Sequence, residues 1–349
     1  MLVAAIVIAS LLAGFGAWTV YRRYGRSTGD AAAAADRPKG RDAAAPTVTD
    51  NSRVESANSL LTERLWKLAF SAPTHAQSLE AEHVEIRKFV SAILECDTVD
   101  PKLFPRRPTL MPQLLRVVED PRTATEKISR MVAHDPVLTS DILRLANSPL
   151  YRTSPAPIET IQRAIVVLGV DALRGLVATA MLQPVFRATR SNFPRFPRTL
   201  WERTERAARA AEMHAMNSHP KDRFEAQLVI LLSALGPLVV YGAALDAYSH
   251  RPEIAPSSAL LVSLTVALGP QMSLRIARHW EASPRLIAAI EKDPEESLSL
   301  SLCTGELLGT LSLLETQNVI SRNDSLAAAT AAGLSEVIVT PILTQLTTS

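Results

Sequence analysis

Seven histidines and two cysteines are the side chains of this chain best suited to hold a metal or act as a nucleophile. The histidines are His75, His83, His134, His214, His219, His250 and His279. No two stand four apart, the spacing that sets two imidazoles on one helical face. His214 and His219 flank Asn217-Ser218, which reads as a helix end. His279 beside Trp280 reads as a packed or surface histidine. Cys96 and Cys303 form no CxxC or Cys/His cluster, so neither a structural zinc nor a disulfide framework is indicated. Both lie in apolar, helix-like contexts and are expected to be buried thiols. The Gly-x-Ser-x-Gly, Walker A and GxGxxG patterns are absent.

One stretch could bind an anion. Arg187, Arg190, Arg195 and Arg198 are interleaved with Phe193 and Phe196 in RATRSNFPRFPR. Arginine with aromatics can grip a phosphate-bearing ligand or an acidic partner. The simpler reading is a proline-rich connector with a basic surface. The run ERTERAARAAEMHA (202–215) mixes charges with alanines and reads as a solvated helix face. The formal net charge is +2, and there is no dense basic patch with stacking aromatics, so a nucleic-acid partner is not expected.

The elements that would position such groups are helices. Apolar residues make up 47% and aromatics 5%, with alanine and leucine dominant and strand-forming runs scarce, which predicts an all-α fold. Leu2–Val20 carries no charge, and its 19 residues at about 1.5 Å each span roughly the hydrocarbon core of a bilayer. Arg22, Arg23 and Arg26 follow at once, which puts the N-terminus outside and the rest in the cytoplasm. A cleaved signal peptide would carry its charge before the apolar run, so residues 1–21 read as an uncleaved anchor. Small residues at Ala9 and Ala13, and at Ser10 and Gly14, have the spacing of a helix-pairing face and allow a homodimer. Residues 22–57 read as a disordered juxtamembrane linker. Residues 58–103 read as a helical hairpin, or a stalk, with Leu61, Leu65 and Leu68 on one face and a second helix over about 79–95.

From Pro108 the pattern is regular. Leu110–Val118 reads as a helix and Asp120-Pro121 caps the next. Asp135-Pro136 then opens a helix with Leu138, Ile142 and Leu145 at helical spacing, closed by Asn147-Ser148-Pro149. Ile158, Ile161, Ile165 and Leu168 form a face that stops at Gly169, a residue suited to a left-handed C-terminal position. A helix over about 171–185 follows. Further on, Ser297–Cys303 alternates with period two, but GELLGTLSLLE continues it helically, so the whole reads as a helix. Gly305 and Gly309 suit a close helix approach.

Taken in order, these elements resemble the HDOD family, the HD-related output domain of bacterial signalling proteins. The family pattern I-x-x-D-P-x-L-x-x-x-L-L-R-L-x-N-S-x-x-Y is met from Val132 through Asp135, Pro136, Asn147 and Ser148 to Tyr151. Leu110-Met111-Pro112 resembles its opening Leu-Pro, and Ile161, Ala164, Ile165, Leu168 and Gly169 resemble its I-x-x-A-I-x-x-L-G segment. Trp280 and Pro284 match a later W-x-x-x-P. The resemblance implies a two-part helical domain, with an N-terminal bundle over 104–186 and an HD-like subdomain over 187–349. In relatives with an intact HD site it also implies a metal held by a histidine on one helix and a His-Asp dyad on the next. Here Arg203 falls at the first position, Ser233-Ala234 at the dyad and Thr265 near a later histidine. Arginine has no lone pair to offer, and alanine has no ligand atom.

The reading is therefore a noncatalytic regulator without a cofactor, single-pass in the bacterial inner membrane through residues 2–20. It presents a helical surface to another, unidentified signalling protein, with the half around Asp135 and Asn147 as the better candidate surface. The rivals are a metal-dependent phosphohydrolase with an unorthodox site and a nucleotide sensor built on the arginine-rich connector.

Overall fold

The computed structural model describes residues 51–71, 81–96, 104–105, 108, 111, 132, 135–152, 156–187 and 193–347, and these contain helices and no strand. All lie in one compact unit, Asn51–Ser349. In order the helices are α1 (Asn51–Ala69), α2 (Ala81–Glu95), α3 (Pro136–Ala146), α4 (Ile161–Leu168), α5 (Val170–Arg187), α6 (Arg195–Ser218), α7 (Arg223–Ser233), α8 (Leu235–Ser249), α9 (Ser258–His279), α10 (Pro284–Ile290), α11 (Ser297–Thr316), α12 (Arg322–Ala331) and α13 (Glu336–Thr347). The predicted anchor, linker residues 22–50, residues 112–118 with Pro112, the Asp120-Pro121 cap and Arg190 fall outside the described residues.

The centre is the pair α6 and α11. Gly305 and Gly309 face Ala207 and Ala211, and a Cβ on Gly309 would lie 2.6 Å from the Ala207 backbone nitrogen. Only residues without long side chains allow two helices this close, so the expected packing role of these glycines holds. α6 departs from its expectation. Its charged and alanine-rich run is not solvated: Arg203, Arg209, Glu212 and His214 are buried with Ala207, Ala208, Ala210 and Ala211. The alanines are there because neighbours approach, and the charges are paired inside the bundle. α6 also begins at Arg195, inside what reads as connector. Pro194 precedes it without a capping bond, and Pro197 sits in its first turn, where the missing N–H costs nothing.

α1 starts at Asn51, inside the predicted linker, because Val54 and Ala57 find burial against the bundle. Its buried face runs through Leu61, Leu65, Trp66 and Ala69, whereas Leu68 is exposed. α1 packs on α11, α9 and α6, and α2 on α8 and α9, so their main contacts are with the bundle rather than with each other. The carbonyls of Leu94 and Cys96, at the end of α2, accept from Arg275 Nη1 at 2.7 and 2.6 Å. Cys96 is exposed there, not buried, because α2 has ended; Cys303 is buried in α11.

In the N-terminal half α5 packs against α3 and α4 on one side and α6 and α7 on the other. Between α7 and α8 the chain bends at Ala234, and Gly236 passes over α9 so closely that its Cβ would lie 2.1 Å from the Gly269 carbonyl oxygen. The stretches Pro220–Ser249, Ser258–His279 and Ser297–Thr316 are long and apolar enough to cross a membrane by length and composition, but 72%, 56% and 83% of their apolar windows are buried within the bundle. Helix packing thus takes up most of that apolar surface.

Candidate functional site

Two of the positions that the resemblance assigns to metal ligands do converge, on a residue that no motif marks. Arg203 on α6 and Ser233 at the end of α7 both approach Glu306 of α11. The Arg203 guanidinium lies 3.9 Å from Glu306 Oε1, and Ser233 Oγ lies 3.3 Å from the same oxygen while also donating to the Ile230 carbonyl at 2.9 Å. Asn58 of α1 donates to Glu306 Oε2 at 2.9 Å. Arg203 Nε donates to Thr310 Oγ1 at 2.8 Å, and Thr310 in turn donates to the Glu306 carbonyl at 2.7 Å. Asn58 Oδ1 and Thr62 Oγ1 stand 3.5 Å from Arg203 Nη2, and the Trp66 ring lies 5.7 Å from the guanidinium carbon.

Burial and ion pairing oppose each other in this hub. It pushes the Arg203 pKa down against the opposing pull of Glu306. Lys292 stands at its rim and donates to Glu55 of α1 at 2.7 Å. Burial works against the Lys292 charge as well, but Glu306 and Glu55 outweigh it and leave the pKa above its ordinary value.

These residues do not fit a metal. The centre holds one carboxylate whose oxygens already face donors, and a guanidinium that offers five N–H groups and no lone pair. Ala234 is buried and contributes no donor atom. Thr265 is buried in α9, and its hydroxyl donates to the Leu261 carbonyl at 2.6 Å, one helical turn back. Among the described residues no three His, Cys, Asp or Glu side chains group as a metal site.

A second buried polar cluster joins the halves. Glu212 of α6 accepts from Arg209 Nη1 and Gln227 Nε2, both at 2.5 Å, and from Arg223 Nη2 at 2.6 Å. The Arg209 guanidinium lies 5.4 Å from the ring of Tyr151, which is fully buried and whose hydroxyl pKa burial raises. Arg174 of α5 stacks on Phe224 at 4.0 Å. His214, also buried on α6, meets Ser301 Oγ at 3.1 Å, and burial with nearby His219 pulls its pKa down to about 4.

The signature residues of the N-terminal half act on the backbone. Asp135 Oδ1 accepts from the N–H groups of Val137 and Leu138 at 3.0 Å, and Pro136 takes the first position of α3. The Asn147 amide donates to the carbonyls of Leu143 and Ile158 and accepts from the Ile158 N–H at 2.7 Å, which ties the end of α3 to the loop before α4. Ile158 is therefore buried ahead of α4 rather than in it. The Ser148 carbonyl accepts from Tyr151 and Arg152 N–H. Gly169 ends α4 with φ +87°, as its type predicts.

The arginine-rich connector is divided. Arg187 ends α5, and Arg195 and Arg198 stand exposed on the first turns of α6, with Arg198 Nε donating to Glu202 at 2.8 Å. Its aromatics turn inward: Phe196 stacks on Phe70 at 4.3 Å and meets Trp66 at 5.1 Å, while Phe193 meets Phe70 at 5.8 Å. They are core anchors, not an open stacking platform.

The family model of the HDOD domain matches residues 104–295 of the 349. Among solved structures, an HDOD domain protein of unknown function from Geobacter sulfurreducens is similar over 77% of this chain and 98% of its own, at 19% identity and a TM-score of 0.51. A candidate phosphohydrolase from Shewanella amazonensis SB2B covers 74% and 96% at 21% identity and 0.51. A candidate metal-dependent phosphohydrolase from the same organism covers 76% and 100% at 16% identity and 0.53. At these identities the likeness is one of fold. No curated protein matches the chain.

Proposed function

Because this chain belongs to the HDOD domain family, we propose that it is a noncatalytic regulatory protein that works by binding another signalling protein at the bacterial inner membrane. One observation carries the reading. Where relatives would hold a ligand histidine, Arg203 lays a buried guanidinium beside Glu306, whose carboxylate oxygens already face donors. The chemistry expected of an intact HD site is hydrolysis by a metal-activated water, and a single carboxylate beside a guanidinium speaks against it here. The surface left for a partner is the N-terminal half around Asp135 and Asn147, whose turn is rigidly tied and whose Val137 side chain faces solvent.

Membrane attachment is a second element of the proposal. Residues 2–20 form the anchor, with the N-terminus outside and the helical domain in the cytoplasm. Accessibility of cysteines introduced at Leu2 and at Asp30 to an impermeant thiol reagent tests this orientation. Labelling at position 30 but not at position 2 from outside would overturn it.

The rival is a phosphohydrolase, as two of the structural neighbours are named. Metal analysis of the full-length protein in detergent, with a phosphodiester turnover assay, separates the readings. We expect neither stoichiometric iron, manganese or zinc nor turnover. Both together would overturn the noncatalytic reading.

A further inference from the structure

Helix α1 lies upstream of residue 104, where the family match begins, yet it supplies much of the hub. Glu55, Asn58, Thr62 and Trp66 follow at spacings of three and four, so one face of α1 carries all of them. That face is complementary to what it covers. The bundle side contributes two cations, Arg203 and Lys292, and one carboxylate, Glu306. α1 adds a carboxylate for Lys292, an amide for Glu306 and an indole face for Arg203. Lys292 meets Glu55 from the end of α10, where its left-handed backbone (φ 61°) closes the helix and its N–H donates to the Ala289 carbonyl at 3.0 Å.

The bonds named here between α1 and the bundle are all between side chains. Their loss leaves the backbone ladders of α6 and α11 intact. On the opposite surface of α1 Leu60 and Leu68 are exposed, whereas Val54, Leu61, Leu65 and Trp66 are buried against the bundle and are uncovered when the helix opens. We propose that α1 is a self-docked plug: a segment upstream of the residues matched by the family model that covers the Arg203–Glu306 hub and opens as a unit while the α6–α11 pair stays folded. Its departure uncovers Arg203 and Lys292.

This rests on the reading that the hub is not a metal site, but its test refers neither to metal nor to turnover. Hydrogen–deuterium exchange, read by mass spectrometry, is measured on the full-length chain in lipid nanodiscs. α1 peptides are expected to exchange at least about tenfold faster than those of α6 and α11. Lys292→Ala and, separately, Asn58→Ala should each speed α1 exchange about tenfold and leave α6 and α11 within about twofold. The proposal is overturned if α1 exchanges in step with α6 and α11, if either variant raises all three together, or if both leave α1 unchanged.

Discussion

The Asn147 turn and the Arg203 hub are two places where polar side chains hold this apolar bundle, and they do so on different terms. Asn147 bonds to backbone groups of Leu143 and Ile158. Those donors and acceptors exist whatever the sequence, and only a side chain with both a donor and an acceptor at that point can serve them. Arg203 bonds to other side chains, Thr310 and Glu306, which could all be exchanged together. The first arrangement is therefore bound to a local pattern, and the second to a set of partners scattered over the chain. The Asn147 turn is thus built on rules of the backbone, whereas the Arg203 hub is built on mutual compensation between charges.

The sharpest way to break that contrast is at Glu306. Glu306→Ala leaves the Arg203 guanidinium buried without its carboxylate and should cost about 3–5 kcal/mol. Replacing both partners by apolar residues of similar size, Arg203→Met with Glu306→Leu, should recover at least about half of that loss, the remainder being the buried Asn58 amide left without its acceptor. Urea unfolding of the three proteins measures this. A double variant as unstable as the single one would mean that the hub is not compensatory.

Acid offers the next largest effect, and it separates the halves. His214 has a folded pKa of about 4 against an ordinary 6.5, so between these values the unfolded chain binds more protons than the folded one. Stability then falls as pH drops from about 6.5 to about 4 and loses no more below that, a total of about 3 kcal/mol at most. Urea midpoints at pH 7, 5.5 and 4 should show the loss, and His214→Gln should flatten it. His214 lies on α6, in the other half, so the part of the slope that it carries belongs there. An unchanged slope in the variant would assign it elsewhere.

On the backbone side, Asn147→Ala removes three hydrogen bonds and should cost about 2–3 kcal/mol. Asn147→Asp should not restore it, because a carboxylate faces two carbonyl oxygens there. Amide exchange should rise first at Ile158, whose N–H loses its acceptor. If the Asp variant were as stable as the parent, the turn would rest on charge rather than on backbone pairing.

How far each region is legible in the sequence follows from the same contrast. The helix of Asp135, the stop at Gly169, the helix through Ser297 and the closeness of Gly305 and Gly309 are all readable, because capping and packing signals lie within a few residues of the structure they cause. Glu306 is not. In the sequence it is one glutamate in GELLGTL, and the hub partners Asn58 and Ser233 lie 248 and 73 residues away. α6 misleads for a related reason: charges between alanines look solvated until Glu212 is seen to collect Arg209, Arg223 and Gln227. Phe193 and Phe196 look available for stacking, and only the fold shows Trp66 and Phe70 against them. A buried charge thus leaves little local trace, since what makes it tolerable is supplied from a distance.

The smallest effect sharpens the contrast most cleanly. Asp135 accepts from two N–H groups that α3 itself cannot satisfy, those of Val137 and Leu138. Asp135→Ala should cost about 1 kcal/mol, and Asp135→Asn only a few tenths, since the amide oxygen caps as well as the carboxylate. The loss should also be local, with amides in the first turn of α3 exchanging faster while α6 and α11 keep their rates. If Asp135→Asn were as unstable as Asp135→Ala, the carboxylate would be acting through its charge on the helix dipole, and that part of the N-terminal half would obey the same electrostatic logic as the Arg203 hub.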